Sequence, residues 1–101
     1  MPEPHLDAVI HVPTRLRIVT YLDATLPVAD DEVTFPTVQR ALDLTAGNLT
    51  THLARLEEAG YIAISKAFAG RKPVTYVRFT AAGRAAFQAY RTTLLALIGG
   101  G

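Results

Sequence analysis

The chain has 101 residues, half of them apolar and 19% charged, with a net charge of +1, which suits one folded domain over residues 1–101 and excludes a disordered chain. It contains no cysteine, which excludes disulfides, thiolate metal sites and thiol switches. Glu3, His5 and Asp7 stand where a signal peptide would be basic and then apolar, and no run reaches the ~20 apolar residues of a membrane span, so the expectation is a cytoplasmic protein that avoids membranes.

In chain order, Leu6, Val9 and Ile10 lie at helical spacing and predict a short helix over about 6–12, stopped at Pro13. Leu16, Val19, Tyr21 and Leu22 predict a second helix over Thr14–Ala24, and a polar connection runs on to Asp31. Glu32–Phe35 is long enough for one edge strand, with Val33 and Phe35 on the same side. Thr34 can cap the next helix, where Pro36 is tolerated in the first turn because its missing N–H would have no partner there. Val38, Ala41 and Leu42 turn that short helix toward the core, and Asp43-Leu44 leave it.

Thr45 then opens an amphipathic helix as its N-cap, and Gly60 closes it at the position that favours a left-handed residue. Ala46, Leu49, Leu53 and Leu56 recur between them at spacings of three and four. From Tyr61 the period changes to two. Ile62 and Ile64 mark a strand over Tyr61–Lys66, Val77 and Phe79 mark another over Val74–Phe79, and Ala67–Pro73 reads as a long basic loop between them. Thr80 caps a last helix that runs to about Ile98.

Residues 36–59 thus read as helix, tight turn, helix, and residues 61–79 as a hairpin with a basic tip. A helix fits the major groove of B-DNA with its N-terminal half toward base edges, and a flanking hairpin can reach the neighbouring phosphates or minor groove. The outward side chains suit that use. Gly47, Asn48, Thr50 and Thr51 are small or polar, Asn can pair with adenine, and Thr can meet a phosphate or a thymine methyl. Arg55 follows a turn later, while Glu57 and Glu58 are kept to the far end. Charge is segregated along the chain as well: residues 1–39 hold two basic and six acidic side chains, whereas residues 40–78 hold six basic and three acidic ones. Read alone, the polar residues of the helix start are equally consistent with a solvated surface.

The run Leu44-Thr45-Ala46-Gly47-Asn48-Leu49-Thr50-Thr51-His52-Leu53, followed by Leu56-Glu57-Glu58-Ala59-Gly60-Tyr61-Ile62, resembles the recognition helix and next strand of ArsR/MarR-like winged-helix regulators. Phe68-Ala69-Gly70-Arg71-Lys72-Pro73-Val74-Thr75-Tyr76, followed by Phe79-Thr80-Ala81-Ala82-Gly83-Arg84-Ala85-Ala86-Phe87, resembles their wing and last helix. The resemblance spans about Leu6 to Ile98. It implies an α+β fold, mainly α: a winged helix-turn-helix with a small three-stranded antiparallel sheet and N- and C-terminal dimerisation helices. It also implies a homodimer that sets two recognition helices in successive major grooves. The DNA-binding set expected from the residues and the resemblance together is Thr45, Gly47, Asn48, Thr50, Thr51, His52, Arg55, Lys66, Arg71 and Lys72. His52 is open between a structural hydrogen bond and a phosphate contact. Many relatives carry Arg or Lys where this chain has Thr51, which weakens the implied phosphate grip.

Phe87, Tyr90, Leu94 and Leu97 form a heptad-like seam that Ile98 continues. With Leu6, Val9 and Ile10 of the first predicted helix they make the expected dimer interface; the competing reading folds the seam over its own domain. His5 and His11 are six apart, which is no one-face ligand spacing, so no metal or other cofactor is expected, and no pocket signature defines a small-molecule effector. No nucleophile–base pairing or phosphate-cradling glycine loop supports an enzyme. The expected function is sequence-specific binding of double-stranded DNA by a homodimeric repressor. The alternative is a winged-helix adaptor that uses the same surfaces on proteins.

Overall fold

Capping chemistry and apolar spacing set the elements of the computed structural model, which describes residues 5–99; Glu3, Gly100 and Gly101 lie outside them. In chain order these are α1 (Pro13–Thr25), β1 (Glu32–Thr34), α2 (Phe35–Leu42), α3 (Ala46–Glu58), β2 (Ile62–Ala69), β3 (Lys72–Phe79) and α4 (Ala81–Ile98). The architecture is four helices and one antiparallel sheet in the order β1-β3-β2, mainly helical.

Three threonines start three helices in the same way. Thr34, Thr45 and Thr80 each hold extended backbone angles and accept an N–H three residues on, from Thr37, Asn48 and Gly83 respectively. The α2–α3 turn is tight because Asp43 adopts φ 53°, a left-handed conformation that Asp tolerates better than most residues. α3 ends in a Schellman motif: the Gly60 N–H reaches the Glu57 carbonyl, the Tyr61 N–H reaches the Leu56 carbonyl, and Gly60 takes φ 81°.

The core collects Ile18, Val19 and Leu22 of α1 with Leu26 just past its end, Val38 and Leu42 of α2, and Leu49, Leu53 and Leu56 of α3. One face of the sheet closes it with Val33, Ile62, Val77 and Phe79. Each such side chain contributes about 1.5–3 kcal/mol by leaving water. Ala46, expected on the core stripe, is exposed, because it sits in the first turn beyond the reach of the sheet.

Three elements differ from expectation. Leu6–Val12 forms turns and no helix. Asp7 Oδ1 accepts the N–H groups of Val9 (2.8 Å) and Ile10 (3.1 Å), and Val12 is extended because Pro13 disfavours the helical region before it. A single turn cannot repay helix nucleation against those two competitors. The expected loop 67–73 is also mostly strand: β2 and β3 stay paired out to Ala69↔Lys72, leaving only Gly70 and Arg71 as the turn. Gly70 supplies the positive φ (66°) of the first turn position. Pro73 fits within β3 because it pairs with Phe68 next to the hydrogen-bonded Ala69↔Lys72 pair, so its nitrogen faces the open side, where β1 does not extend. Phe35 begins α2 and is not strand.

α4 is seated where its first turn crosses the start of β2. The Thr80 N–H donates to the Tyr61 carbonyl, and Thr80 Oγ1 donates to the Gly60 carbonyl. A Cβ at buried Gly83 would lie 2.1 Å from the Tyr61 oxygen and 2.7 Å from the Phe79 ring, so only glycine allows this approach. Arg84 then ties α4 to the end of α1 through an ion pair with Asp23 (3.2 Å), a bond to the Leu26 carbonyl, and the Phe79 ring face beneath it.

Candidate nucleic-acid interface

α3 divides its side chains by angle. Leu49, Leu53 and Leu56 point inward, which leaves Gly47, Asn48, Thr50, Thr51 and Arg55 exposed around the opposite side. The space around the Gly47 backbone is open. Thr45 accepts from the Asn48 N–H at 3.1 Å as the cap, and Thr51 Oγ1 donates to the Gly47 carbonyl at 3.0 Å, so both hydroxyls retain acceptor capacity toward solvent. The partial positive charge of the helix start adds to this face, and its first turn holds no acidic residue.

Beside α3 runs a groove of about 400 Å³ lined by Phe35, Thr50, Leu53, Ala54, Glu57, Ile64, Lys66 and Thr75. Glu57, an exposed lining residue, accepts the Ile64 N–H of the open β2 edge at 3.3 Å, so this acid is committed to the sheet. Arg71 and Lys72 lie exposed at the hairpin tip. Phe68 and Pro73 share the groove-side face of the hairpin with Lys66 and Thr75, because residues two apart in a strand point the same way. The sequence reading missed this pair by ending β2 at Lys66; carrying the period of two past that residue would have found it.

His52 has a hydrogen-bond partner within the fold. It lies on the flank of α3 that turns toward α1, half-buried, with the Arg15 guanidinium 3.3 Å from its Nδ1. Burial and then the neighbouring Arg15 charge hold its pKa below the ordinary value, which favours the neutral ring as an acceptor. Arg15 also donates to the Val9 carbonyl, so this cluster joins α3, α1 and the N-terminal turns. Arg17 does similar work at the end of α2, donating to the Leu42 carbonyl at 2.7 Å.

The expected dimer set divides in three. Ile10, Phe87 and Tyr90 are buried in the protomer's own core, and buried side chains add nothing to an outer patch, so these three are corrections. Tyr90 sends its hydroxyl out to His11 Nδ1 at 2.8 Å, which satisfies it at the core edge. Leu6, Val9 and Leu94 are part-buried against the core. Leu97 and Ile98 remain uncovered at the end of α4, 50% and 70% exposed, beside Leu95 at 58%. Tyr61, which the sequence reading left without a role, donates its hydroxyl to Asp7 Oδ2, and that bond first, then burial, pushes its pKa up to about 12. Among the described residues no group of three or more His, Asp or Glu side chains converges to hold a metal, and no helix is long and apolar enough to cross a membrane.

A helix-turn-helix whose second helix exposes an acid-free N-terminal half, with a basic hairpin beside it, defines the winged-helix class of DNA-binding regulators, which is not an enzyme class. The family profile of the winged helix DNA-binding domain matches residues 14–98, and the chain belongs to that family. The chain is similar to a transcriptional regulator homologue of Pyrococcus horikoshii OT3, with 35% identity and a TM-score of 0.80 over 91% of this chain and 86% of that one. It is 36% identical over 63 residues to an uncharacterised protein of Methanocaldococcus jannaschii, covering 62% of this chain and 68% of that protein. The fold also matches overoxidised AbfR bound to DNA, at 21% identity and a TM-score of 0.61, over 80% of this chain and 58% of that one.

Proposed function

We propose that the protein is a sequence-specific, double-stranded DNA-binding transcriptional regulator, a cytoplasmic repressor that acts as a homodimer of single winged-helix domains. The observation that carries this reading is the exposed face of α3. Gly47, Asn48, Thr50 and Thr51 are free of core duties, no acid lies in the first turn, and Lys66, Arg71 and Lys72 stand on the adjacent hairpin. In this reading Asn48, Thr50 and Thr51 face base edges, Thr45 (through its free O–H) and Arg55 meet phosphates, and the hairpin cations grip the flanking backbone. The DNA-bound state of the similar fold in AbfR supports a duplex as the partner. The exposed end of α4 supports the homodimer, since Leu95, Leu97 and Ile98 otherwise remain in water. Repression is the mode we infer, because a winged-helix dimer seated across two major grooves occludes the duplex beneath it.

The test is selection of bound duplexes from a random pool, followed by titration at two salt concentrations. Selected DNA is expected to bind about 10³-fold or more tightly than random DNA, with affinity falling as salt rises. Equal, salt-insensitive binding to all sequences would sink the reading and favour the adaptor.

A further inference from the structure

The hairpin carries an aromatic side chain that the fold does not use. Phe68 is 75% exposed, and residues 62–79 around it hold Lys66, Arg71, Lys72 and Arg78 with no acid among them. It lies four residues beyond Ile64, the last β2 residue packed against the core, and so about 13 Å outboard of it. Its cross-strand partner is Pro73, on the same face, and the next pair, Ala69↔Lys72, closes directly into the Gly70-Arg71 turn. The two-residue turn and the fixed φ of proline stiffen this tip. Ala67, Ala69 and Gly70 keep it thin.

We infer that Phe68, backed by Pro73, is an apolar wedge that enters the minor groove of duplex DNA beside the site read by α3 and unstacks one base step there. The inference rests on the DNA-binding reading and adds a contact that bends the duplex. Three properties point to DNA and not to an apolar protein surface. The cations on both strands match a polyanion. The narrow, small-residue tip suits a groove about 6 Å wide. The wedge faces the same side as the α3 groove, so a duplex against α3 would pass in front of it. An inserted Phe gains by leaving water and offsets unstacking most easily at a flexible TA or CA step. Specificity would then extend to base pairs that α3 does not touch.

The test uses the full chain and a selected duplex carrying 2-aminopurine at successive flanking positions, with end-to-end energy transfer to report bending. Wild type is expected to brighten 2-aminopurine at one flanking step and to shorten the end-to-end distance. Phe68→Ala should lose both signals and about tenfold in affinity while keeping the salt dependence, because no charge has changed. Phe68→Leu should restore part of the bend. Arg71→Ala with Lys72→Ala should do the reverse, lowering the salt slope by about two while the 2-aminopurine signal persists at saturation. Phe68 packs on no core residue, so folding is not at stake, and circular dichroism checks it. If wild type binds the duplex but Phe68→Ala gives the same bend and fluorescence, the wedge is overturned and the DNA reading stands. If wild type shows no salt-dependent binding to any duplex, both fall. Loss of a protein partner with Phe68→Ala while DNA bending is unchanged would also overturn the wedge.

Discussion

The hairpin tip and the end of α4 both carry exposed apolar side chains away from the core, yet their surroundings differ. Phe68 is set among cations in an acid-free stretch, whereas Thr92–Ile98 contains no charged residue at all. Exposed apolar surface therefore has no single meaning. Ringed by positive charge it suits a polyanion with an apolar interior, and without charge it suits a second apolar surface. The two arms share one root at Gly83, where α4 crosses the carbonyl that begins the hairpin.

The comparison breaks most visibly at α4. Leu95→Asp with Ile98→Asp places charge on the exposed side of that helix and leaves the core intact. The variant is expected to sediment as a folded monomer and to lose about a hundredfold or more in DNA affinity, because two half-sites no longer act together. A variant that stays dimeric would remove the assignment of this arm. At the common root, Gly83→Ala forces a Cβ onto the Tyr61 carbonyl and should cost about 2–3 kcal/mol, read as a lower urea midpoint at unchanged slope. Gly47→Ala, with open space around it, should leave stability unchanged or raise it by up to about 1 kcal/mol.

Much of this architecture was legible in the sequence because it rests on local chemistry. Thr34, Thr45 and Thr80 are caps by type and spacing, Gly60 is a helix stop, and Leu49, Leu53 and Leu56 mark the buried side of α3 by period alone. What failed depended on competition or on distant partners. Leu6, Val9 and Ile10 have helical spacing, but the Asp7 side chain and Pro13 take the backbone first. Phe87 and Tyr90 look like a dimer seam in one dimension, and only the packing of α1 and the sheet shows that their own protomer buries them. His52 could not be assigned without Arg15, which lies 37 positions away. Ala67–Pro73 has turn composition, and pairing across the hairpin overrides it.

Two smaller effects sharpen the contrast. Tyr61→Phe removes the bond to Asp7 at the hairpin's base and should cost about 1–2 kcal/mol. Its pH dependence has a definite sign. The Tyr61 phenol ionises near 10 when unfolded and is pushed up to about 12 when folded, so its contribution is full below pH 10 and is lost as pH rises toward 12. Urea melts at pH 9, 10.5 and 12 should therefore bring wild type and Tyr61→Phe together at the alkaline end. Smallest of all, Lys66→Ala and Arg55→Ala should each lower the salt slope by about one, or roughly fourfold in relative affinity between 50 and 200 mM salt, with folding unaffected.

The central claim is that two copies of this chain read one duplex. The most direct measurement is the mass of the complex formed on a selected duplex, by light scattering or native mass spectrometry, with the half-site spacing varied. Two chains per duplex, bound best when the half-sites lie about 10–10.5 base pairs apart, is the predicted result. One chain per duplex, or binding indifferent to spacing, would contradict it.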